Sequence, residues 1–113
     1  GILIVSPEYK NSIPGALKNA LDLLPAAHFK RKAIGIATVS SGGFGGLNCL
    51  AHLRLIAVSM GGVVIPERFA TSMVQNVYDT EGNPLDKAAV QAQSKRFIED
   101  FLWHTRALQA AKA

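Results

Sequence analysis

Pro7, Glu8 and Tyr9 form a short segment directly after an apolar run at the start of the chain. Proline fixes its φ angle and lacks an N–H group, so Pro7 sets the direction of the backbone as it leaves that run. The N–H and C=O groups that follow can hydrogen-bond the edge of a flat heterocycle, and Tyr9 adds an aromatic wall. A β-turn with a half-buried tyrosine is the alternative interpretation, and these residues alone leave both open.

A second candidate segment, Ser40–Gly46, holds four glycines and two serines in seven residues. Glycines between a strand and a helix let a ligand approach the backbone and expose N–H groups near the helix N-terminus. The alternative is a tight turn that needs small residues. The segment is not a phosphate loop of the GxxxxGK[ST] type, and Asn48 replaces the third glycine of a dinucleotide-binding GxGxxG sequence. Glu67 is a possible ribose ligand, although a solvated side chain is the simpler explanation.

Metal binding and nucleophilic catalysis have no comparable support in the sequence. No group of His, Cys or carboxylate residues has metal-ligand spacing, so we predict no metal site. Ser40 and Ser41 lack the Gly-x-Ser-x-Gly setting of a hydrolase nucleophile. We expect the three histidines to be structural or solvent-exposed. For Cys49 a small buried thiol is the expected state, with a lowered pKa near a helix N-terminus as the alternative.

The elements that must position these segments alternate between strands and helices. Apolar runs predict strands over residues 1–5, 33–39 and 63–65, the first of them buried on both faces. Helical spacing predicts helices over residues 13–24, 47–59 and 86–110. Ser12 is the predicted N-cap of the first helix, with Pro14 in its first turn. A polar turn is expected over residues 79–84.

This β-α-β-α-β-α order predicts an α/β fold with a parallel sheet and right-handed crossovers. Three strands of this hydrophobicity would leave long unpaired edges, so about two more strands are expected in the complete domain. The chain begins at Gly1, inside an apolar strand. We therefore expect residues 1–113 to be the C-terminal portion of one larger domain.

The composition is that of a packed globular protein, with 49% hydrophobic and 18% charged residues among 113. The net charge is +4, but Lys30-Arg31-Lys32 is the only basic run and falls between two elements, so no nucleic-acid partner is predicted. One cysteine excludes an intrachain disulfide and is compatible with a reducing compartment. No apolar run reaches the ~18 residues of a membrane helix. We predict a cytoplasmic protein without a membrane partner.

Together, the two segments resemble the NADPH-dependent FMN reductase family, flavodoxin-like proteins that include quinone, chromate and azo-compound reductases. The family's Pro-Glu-Tyr-Asn loop, followed by Ser-x-Pro-Gly-x-Leu-Lys-Asn-Ala-x-Asp, appears as Pro7 to Asp22. Its second loop, a serine and glycines before a helix with a Leu-Arg pair, appears as Ser40 to Gly46 with Leu53-Arg54. The resemblance runs from Gly1 to about Phe101 and implies a flavodoxin-like three-layer sandwich.

The resemblance also implies how a flavin would be held. Pro7, Glu8, Tyr9 and Lys10 would contact the isoalloxazine ring of FMN, and Ser40 with the Gly42-Gly43 backbone would meet it from the other side. Lys10 departs from the family's usual asparagine. The family's Gly-Ser-x-Arg loop, which binds the FMN phosphate, does not occur in the sequence and is expected before Gly1. With ring contacts alone, these 113 residues should bind FMN weakly or not at all.

The implied activity is hydride transfer from NAD(P)H through FMN to quinones or other soluble small-molecule acceptors. The cofactor carries this chemistry, so no catalytic side chain is nominated. Two alternatives are a flavodoxin-like electron carrier without NAD(P)H turnover and a non-catalytic α/β interaction module. Family members commonly associate through the helix at residues 13–24, which implies a homodimer or homotetramer.

Overall fold

The computed structural model describes residues 1–112, which form four strands and three α-helices. The strands are β1 (Ile2–Pro7), β2 (Ala33–Val39), β3 (Val63–Val64) and β4 (Phe69–Thr71), and the helices are α1 (Gly15–Leu23), α2 (Leu47–Ser59) and α3 (Lys87–Ala111). Single turns of 3₁₀ helix lie at Ala26–His28 and Val74–Asn76.

Strand β2 is the centre of a sheet in which all described pairs are parallel. Strand β1 pairs with β2 from Ile2↔Ile34 to Pro7↔Val39. Strand β3 pairs with the beginning of β2, and β4 pairs with its end. The predicted α/β fold with a parallel sheet is confirmed, and the parallel register brings the carboxyl ends of β1, β2 and β4 to one edge.

The main core lies between the sheet and the helix pair α1 and α2. Alternate residues of β1 and β2 point into it, because successive side chains of a strand face opposite sides. Its buried members are Ile4, Leu21, Phe29, Ile34, Ile36, Cys49, Leu50, Leu53 and Ala57.

Helix α3 covers the opposite face of the sheet, over β2 and β4. Phe97 is its buried anchor and meets Phe69 edge-to-face, with ring centroids 5.9 Å apart. Gly35 of β2 makes this contact possible, because a Cβ atom there would lie 2.7 Å from Leu3 and 3.1 Å from Phe97. This smaller core orients α3 beside β4.

The first strand differs from its prediction in length and in burial. It continues to Pro7, and it is not buried on both faces, since Leu3 is 46% and Val5 73% exposed among the described residues. The burial alternates along the strand although its sequence is continuously aliphatic. Ile4 and Ser6 are buried, whereas Leu3 and Val5 lie on the other face of the strand. An aliphatic run by itself does not identify which faces are covered.

The start of α1 and the existence of β4 also differ from the sequence prediction. Helix α1 begins at Gly15 with Pro14 as its N-cap, so the predicted cap by Ser12 is wrong. The hydroxyl of Ser12 instead lies 2.7 Å from Nδ1 of His52 on α2. Strand β4 was not predicted at all, because three residues after a proline carry too weak a pattern. The predicted bounds of β2 and α2 are confirmed at both ends.

Candidate functional site

The two candidate segments lie side by side at the carboxyl edge of the sheet. Pro7 pairs with Val39 at the ends of β1 and β2, and the N–H of Glu8 donates to the carbonyl oxygen of Val39 over 3.0 Å. Ser40 follows directly. Parallel strands place their following loops at one edge, which in open α/β sheets is the position of ligand crevices.

The first segment ends in a closed turn over residues 9–12, called the tyrosine turn below. The N–H of Tyr9 donates to the carbonyl of Ser12, and the reverse bond has the same length of 3.0 Å. Lys10 and Asn11 have φ angles of 51° and 60°, as a type I′ turn requires at both central residues. A β-turn is therefore present at residues 9–12, and Tyr9 is 59% exposed rather than half-buried.

Glu8 uses its side chain inside the protein. Its Oε1 atom accepts a hydrogen bond of 2.8 Å from the N–H of Cys49, the third residue of α2. The first N–H groups of a helix have no intrahelical partner, and a negative charge is favourable at this end. Glu8 therefore ties the first segment to the helix that follows the second. The backbone N–H groups of Glu8 and Tyr9 are also bonded within the protein, so the sequence prediction that they could donate to a ligand is wrong.

Sequence reasoning missed this bond because Glu8 and Cys49 are 41 residues apart. A local cap has a signature within four residues, whereas this one depends on the register of β1 against β2. The absence of Ser, Thr, Asp or Asn before α2 was the available signal, since Gly46 provides no side-chain cap.

The second segment, Ser40–Gly46, is held by the last residue of β4 and by the chain that follows it. The N–H of Ser40 donates to Thr71, and the N–H groups of Met73 and Val74 donate back to the carbonyls of Gly42 and Ser40. These three bonds measure 2.8–3.1 Å. The Ser40 hydroxyl closes the turn by donating to the Gly42 carbonyl over 3.0 Å. The Ser40 side chain thus shapes the turn.

The middle of this segment, residues 41–43, is open to solvent. Within residues 1–112, the N–H groups of Ser41, Gly42 and Gly43 donate to no protein acceptor. A Cβ atom at Gly42 or Gly43 would have no neighbour within 4 Å. All three residues are exposed, so their N–H groups are accessible from solvent.

The last two glycines serve the fold instead. Gly45 and Gly46 have φ angles of 65° and 79°, and a Cβ atom on Gly46 would lie 2.8 Å from that of Thr38. The buried hydroxyl of Thr38 donates to the Gly45 carbonyl over 2.7 Å. One glycine-rich sequence therefore contains an open part at 41–43 and a packed part at 45–46.

Cys49 is buried beneath the first segment, as predicted. Burial raises the pKa of its thiol, a hydrogen bond with Ser6 opposes this, and the Glu8 charge adds to the rise. The pKa of the thiol is therefore raised, not lowered as in the alternative prediction.

The histidines and the remaining acidic groups form no second site. His28 and His52 are exposed, and His104 lies 3.2 Å from Asp100 on the same helix. In the part of the chain that the structure describes, no three His, Cys, Asp or Glu side chains could hold a metal ion. Across those same residues, no helix combines the length and apolarity needed to cross a membrane.

Residues 1–76 match the model of the NADPH-dependent FMN reductase family. The chain belongs to this family. It is 40% identical over 96 residues to a quinone reductase of Escherichia coli (strain K12), covering 80% of this chain and 50% of that protein. It is 38% identical over 92 residues to an FMN-dependent NADPH-azoreductase of Staphylococcus saprophyticus, covering 81% and 45%. The chain spans about half the length of the curated relatives it matches.

Solved structures show the same fold. A flavoenzyme NAD(P)H:(acceptor) oxidoreductase, FerB from Paracoccus denitrificans, superposes with a TM-score of 0.69 at 26% identity, over 92% of this chain and 62% of that one. An oxidoreductase from Corynebacterium diphtheriae gives a TM-score of 0.75 at 20% identity, over 95% and 56%. The predicted flavodoxin-like fold is confirmed.

Proposed function

We propose that the protein is an FMN-dependent NAD(P)H oxidoreductase that reduces quinones or other soluble small-molecule acceptors. The observation that carries the proposal is the adjacency of two ligand-facing turns at the carboxyl edge of the sheet, in a member of the NADPH-dependent FMN reductase family. Relatives named quinone reductase and FMN-dependent NADPH-azoreductase support the same activity.

The residues present fit the ring of a flavin. On one side lie the exposed side chain of Tyr9 and the backbone of residues 7–10. On the other side lie the N–H groups of residues 41–43, which donate to no acceptor within residues 1–112. Open space surrounds Gly42 and Gly43 on the same side. A flat ring with acceptor atoms along its edge matches this combination of an aromatic wall and backbone donors.

Each proposed contact has a distinct part in holding the ring. Pro7, Glu8, Tyr9 and Lys10 supply the first wall, and Ser40 keeps the second wall in shape through its bond to Gly42. Bound FMN would supply hydride transfer between the nicotinamide donor and the acceptor. The N–H groups at residues 41–43, close to the start of α2, favour negative charge on a reduced ring. No side chain is proposed as a general acid or base.

The test is to purify the full-length protein and measure its flavin absorbance, then its NADPH oxidation with and without a quinone. We expect bound FMN and quinone-dependent NADPH oxidation. FMN binding without oxidation of NADPH or NADH would identify an electron carrier instead. A colourless protein that refuses added FMN would contradict the proposal and favour a non-catalytic interaction module.

We also propose that the protein forms a homodimer or homotetramer through α1 and the neighbouring α2. Leu23 on α1 is 75% exposed, and Leu55 and Val58 on α2 are 71% and 60% exposed. Large apolar side chains exposed on neighbouring helices are candidates for a subunit interface. Sedimentation of the wild type and Leu55→Glu is the test. A monomer across micromolar concentrations would contradict the interface.

A cytoplasmic location is proposed because the sequence holds a single cysteine, which is compatible with a reducing compartment. Cell fractionation with an antibody against the protein tests it, and recovery in a secreted fraction would contradict it.

A further inference from the structure

The carbonyl oxygens of residues 40–42 all accept hydrogen bonds from one short piece of chain, residues 73–75, which follows β4. In the order of the carbonyls, the donors are the N–H of Val74, the side-chain amide of Gln75 and the N–H of Met73. The donor–acceptor distances are 3.1, 3.1 and 2.8 Å in the same order. Three consecutive carbonyls of the turn therefore face residues 73–75.

These bonds also fix the direction of the N–H groups of residues 41–43. In a trans peptide the C=O of one residue and the N–H of the next lie in one plane and point to opposite sides. Within residues 1–112 no peptide bond is cis. The three N–H groups therefore point away from residues 73–75, on a part of the turn that is exposed to solvent.

Gln75 differs from the other two donors because it uses its side chain. Its Nε2 atom donates to the carbonyl of Ser41, and within residues 1–112 that carbonyl has no other donor. The carbonyl of Ser41 shares a peptide plane with the N–H of Gly42. A substitution of Gln75 thus releases one peptide plane of the turn and leaves the backbone bonds of Met73 and Val74 in place.

The chain adopts an unusual conformation where it supplies these donors. Met73 has φ 46° and ψ 52°, in the left-handed region, although it is not a glycine. Such residues cost free energy, persist only when the surrounding structure holds them, and cluster at functional sites. Met73 precedes the 3₁₀ turn Val74–Asn76, of which Gln75 is the central residue. Gln75 is exposed, so its position does not serve the apolar core.

We propose that Gln75 is a positioning residue for a flavin bound at this turn. By holding the carbonyl of Ser41, it keeps the N–H of Gly42 directed towards the ring. The inference rests on the proposed function, in which FMN lies against residues 41–43.

The consequence concerns the reduction potential of bound FMN. A hydride adds two electrons and one proton to the flavin, so the ring gains one negative charge. An N–H group that is already oriented stabilises this charge more than it stabilises the neutral ring. Gln75 therefore favours reduced over oxidised FMN and raises the potential.

The test measures the two-electron reduction potential of FMN bound to the full-length protein, in the wild type and in Gln75→Met. Methionine is as long as glutamine but has no N–H donor. We expect the potential to fall by about 30 mV, which corresponds to a tenfold loss of preference for reduced over oxidised FMN. Gln75→Lys supplies a donor again and should return the potential to the wild-type value or above it. Gln91→Met is the matched control, since it makes the same change at an exposed glutamine of α3 and should leave the potential unchanged.

A merely structural role for Gln75 would weaken the binding of oxidised and reduced FMN equally and leave the potential unchanged. That result, an equal fall in Gln91→Met, or a fall that Gln75→Lys does not reverse would overturn the inference. A wild type that binds no FMN would overturn the proposed function and this inference with it. A wild type that binds FMN and oxidises NADPH, with a potential that Gln75→Met does not change, would overturn this inference alone.

Discussion

The two turns of the candidate site are built in opposite ways. The tyrosine turn, residues 9–12, is closed by its own pair of backbone bonds and places two non-glycine residues at positive φ. The turn of residues 40–43 is fixed from outside by the end of β4 and the chain after it, and three of its N–H groups have no protein acceptor within residues 1–112. One wall of the site is thus shaped by local strain, and the other by glycines with free space around them.

The difference predicts how each turn responds to substitution. Strained residues persist only when the surrounding structure holds them in place. For Lys10 and Asn11 that structure is strand β1, which precedes the turn, and the bond between Glu8 and α2. Open glycines tolerate a methyl group sterically but lose the space that a ring would occupy. Substitutions in the two turns should therefore affect stability and ligand binding in different proportions.

The largest expected effect separates the two halves of the glycine-rich segment. Gly46→Ala should destabilise the protein by about 2–3 kcal/mol, from the positive φ and the 2.8 Å approach to Thr38. Gly42→Ala should change stability by less than about 0.5 kcal/mol but weaken FMN binding about tenfold. Urea unfolding and FMN titration measure the two quantities. Equal destabilisation by both variants would remove the distinction between an open and a packed part.

Breaking the link between the two turns should have the next largest effect. Glu8→Ala leaves the N–H of Cys49 without its acceptor and should cost about 1–2 kcal/mol of unfolding free energy. Glu8→Gln keeps an acceptor oxygen and should recover part of that loss. The control is Glu81→Ala, an exposed glutamate in another turn, which should change stability by less than about 0.5 kcal/mol. If both alanine variants unfold at the same urea concentration, Glu8 does not cap α2.

Relieving strain in the tyrosine turn should stabilise the protein slightly. Asparagine tolerates positive φ better than lysine, so Lys10→Asn should add about 0.5 kcal/mol. Lys30→Asn, at an exposed position without positive φ, should add nothing. Thermal unfolding compares the two variants. A loss of stability in Lys10→Asn would mean that the lysine side chain makes a contact worth more than the strain.

The smallest expected effect concerns the thiol beneath the two turns. The folded pKa of Cys49 is raised by burial, so keeping the thiol neutral stabilises the fold below the unfolded pKa. That contribution is lost as pH rises through the folded pKa. Alkylation by iodoacetamide should be slow at neutral pH and accelerate only in alkaline solution. In Glu8→Gln the rate should rise, since one charge that raises the pKa is gone. Fast alkylation of the wild type at neutral pH would contradict this.

The sequence was sufficient for the elements whose signals are local. The bounds of β2 and α2 follow from one apolar run and one glycine-bounded helical pattern. The two turns were located because proline and glycine have specific backbone consequences. The roles of individual side chains were not predicted. Glu8 accepts a hydrogen bond from Cys49 and Thr38 donates one to Gly45, and the folded structure is needed to bring these partners together. Strand β4 escaped because its pairing with β2 is long-range and its own pattern is three residues long.

The central claim is that a flavin ring lies between the two turns. The most direct measurement is the change in each backbone amide resonance between the FMN-free and FMN-bound protein. The largest shifts should fall on residues 8–10 and 41–43, while the exposed turn at residues 79–82 stays unchanged. Maximal shifts elsewhere in residues 1–112, with both turns unaffected, would contradict the account.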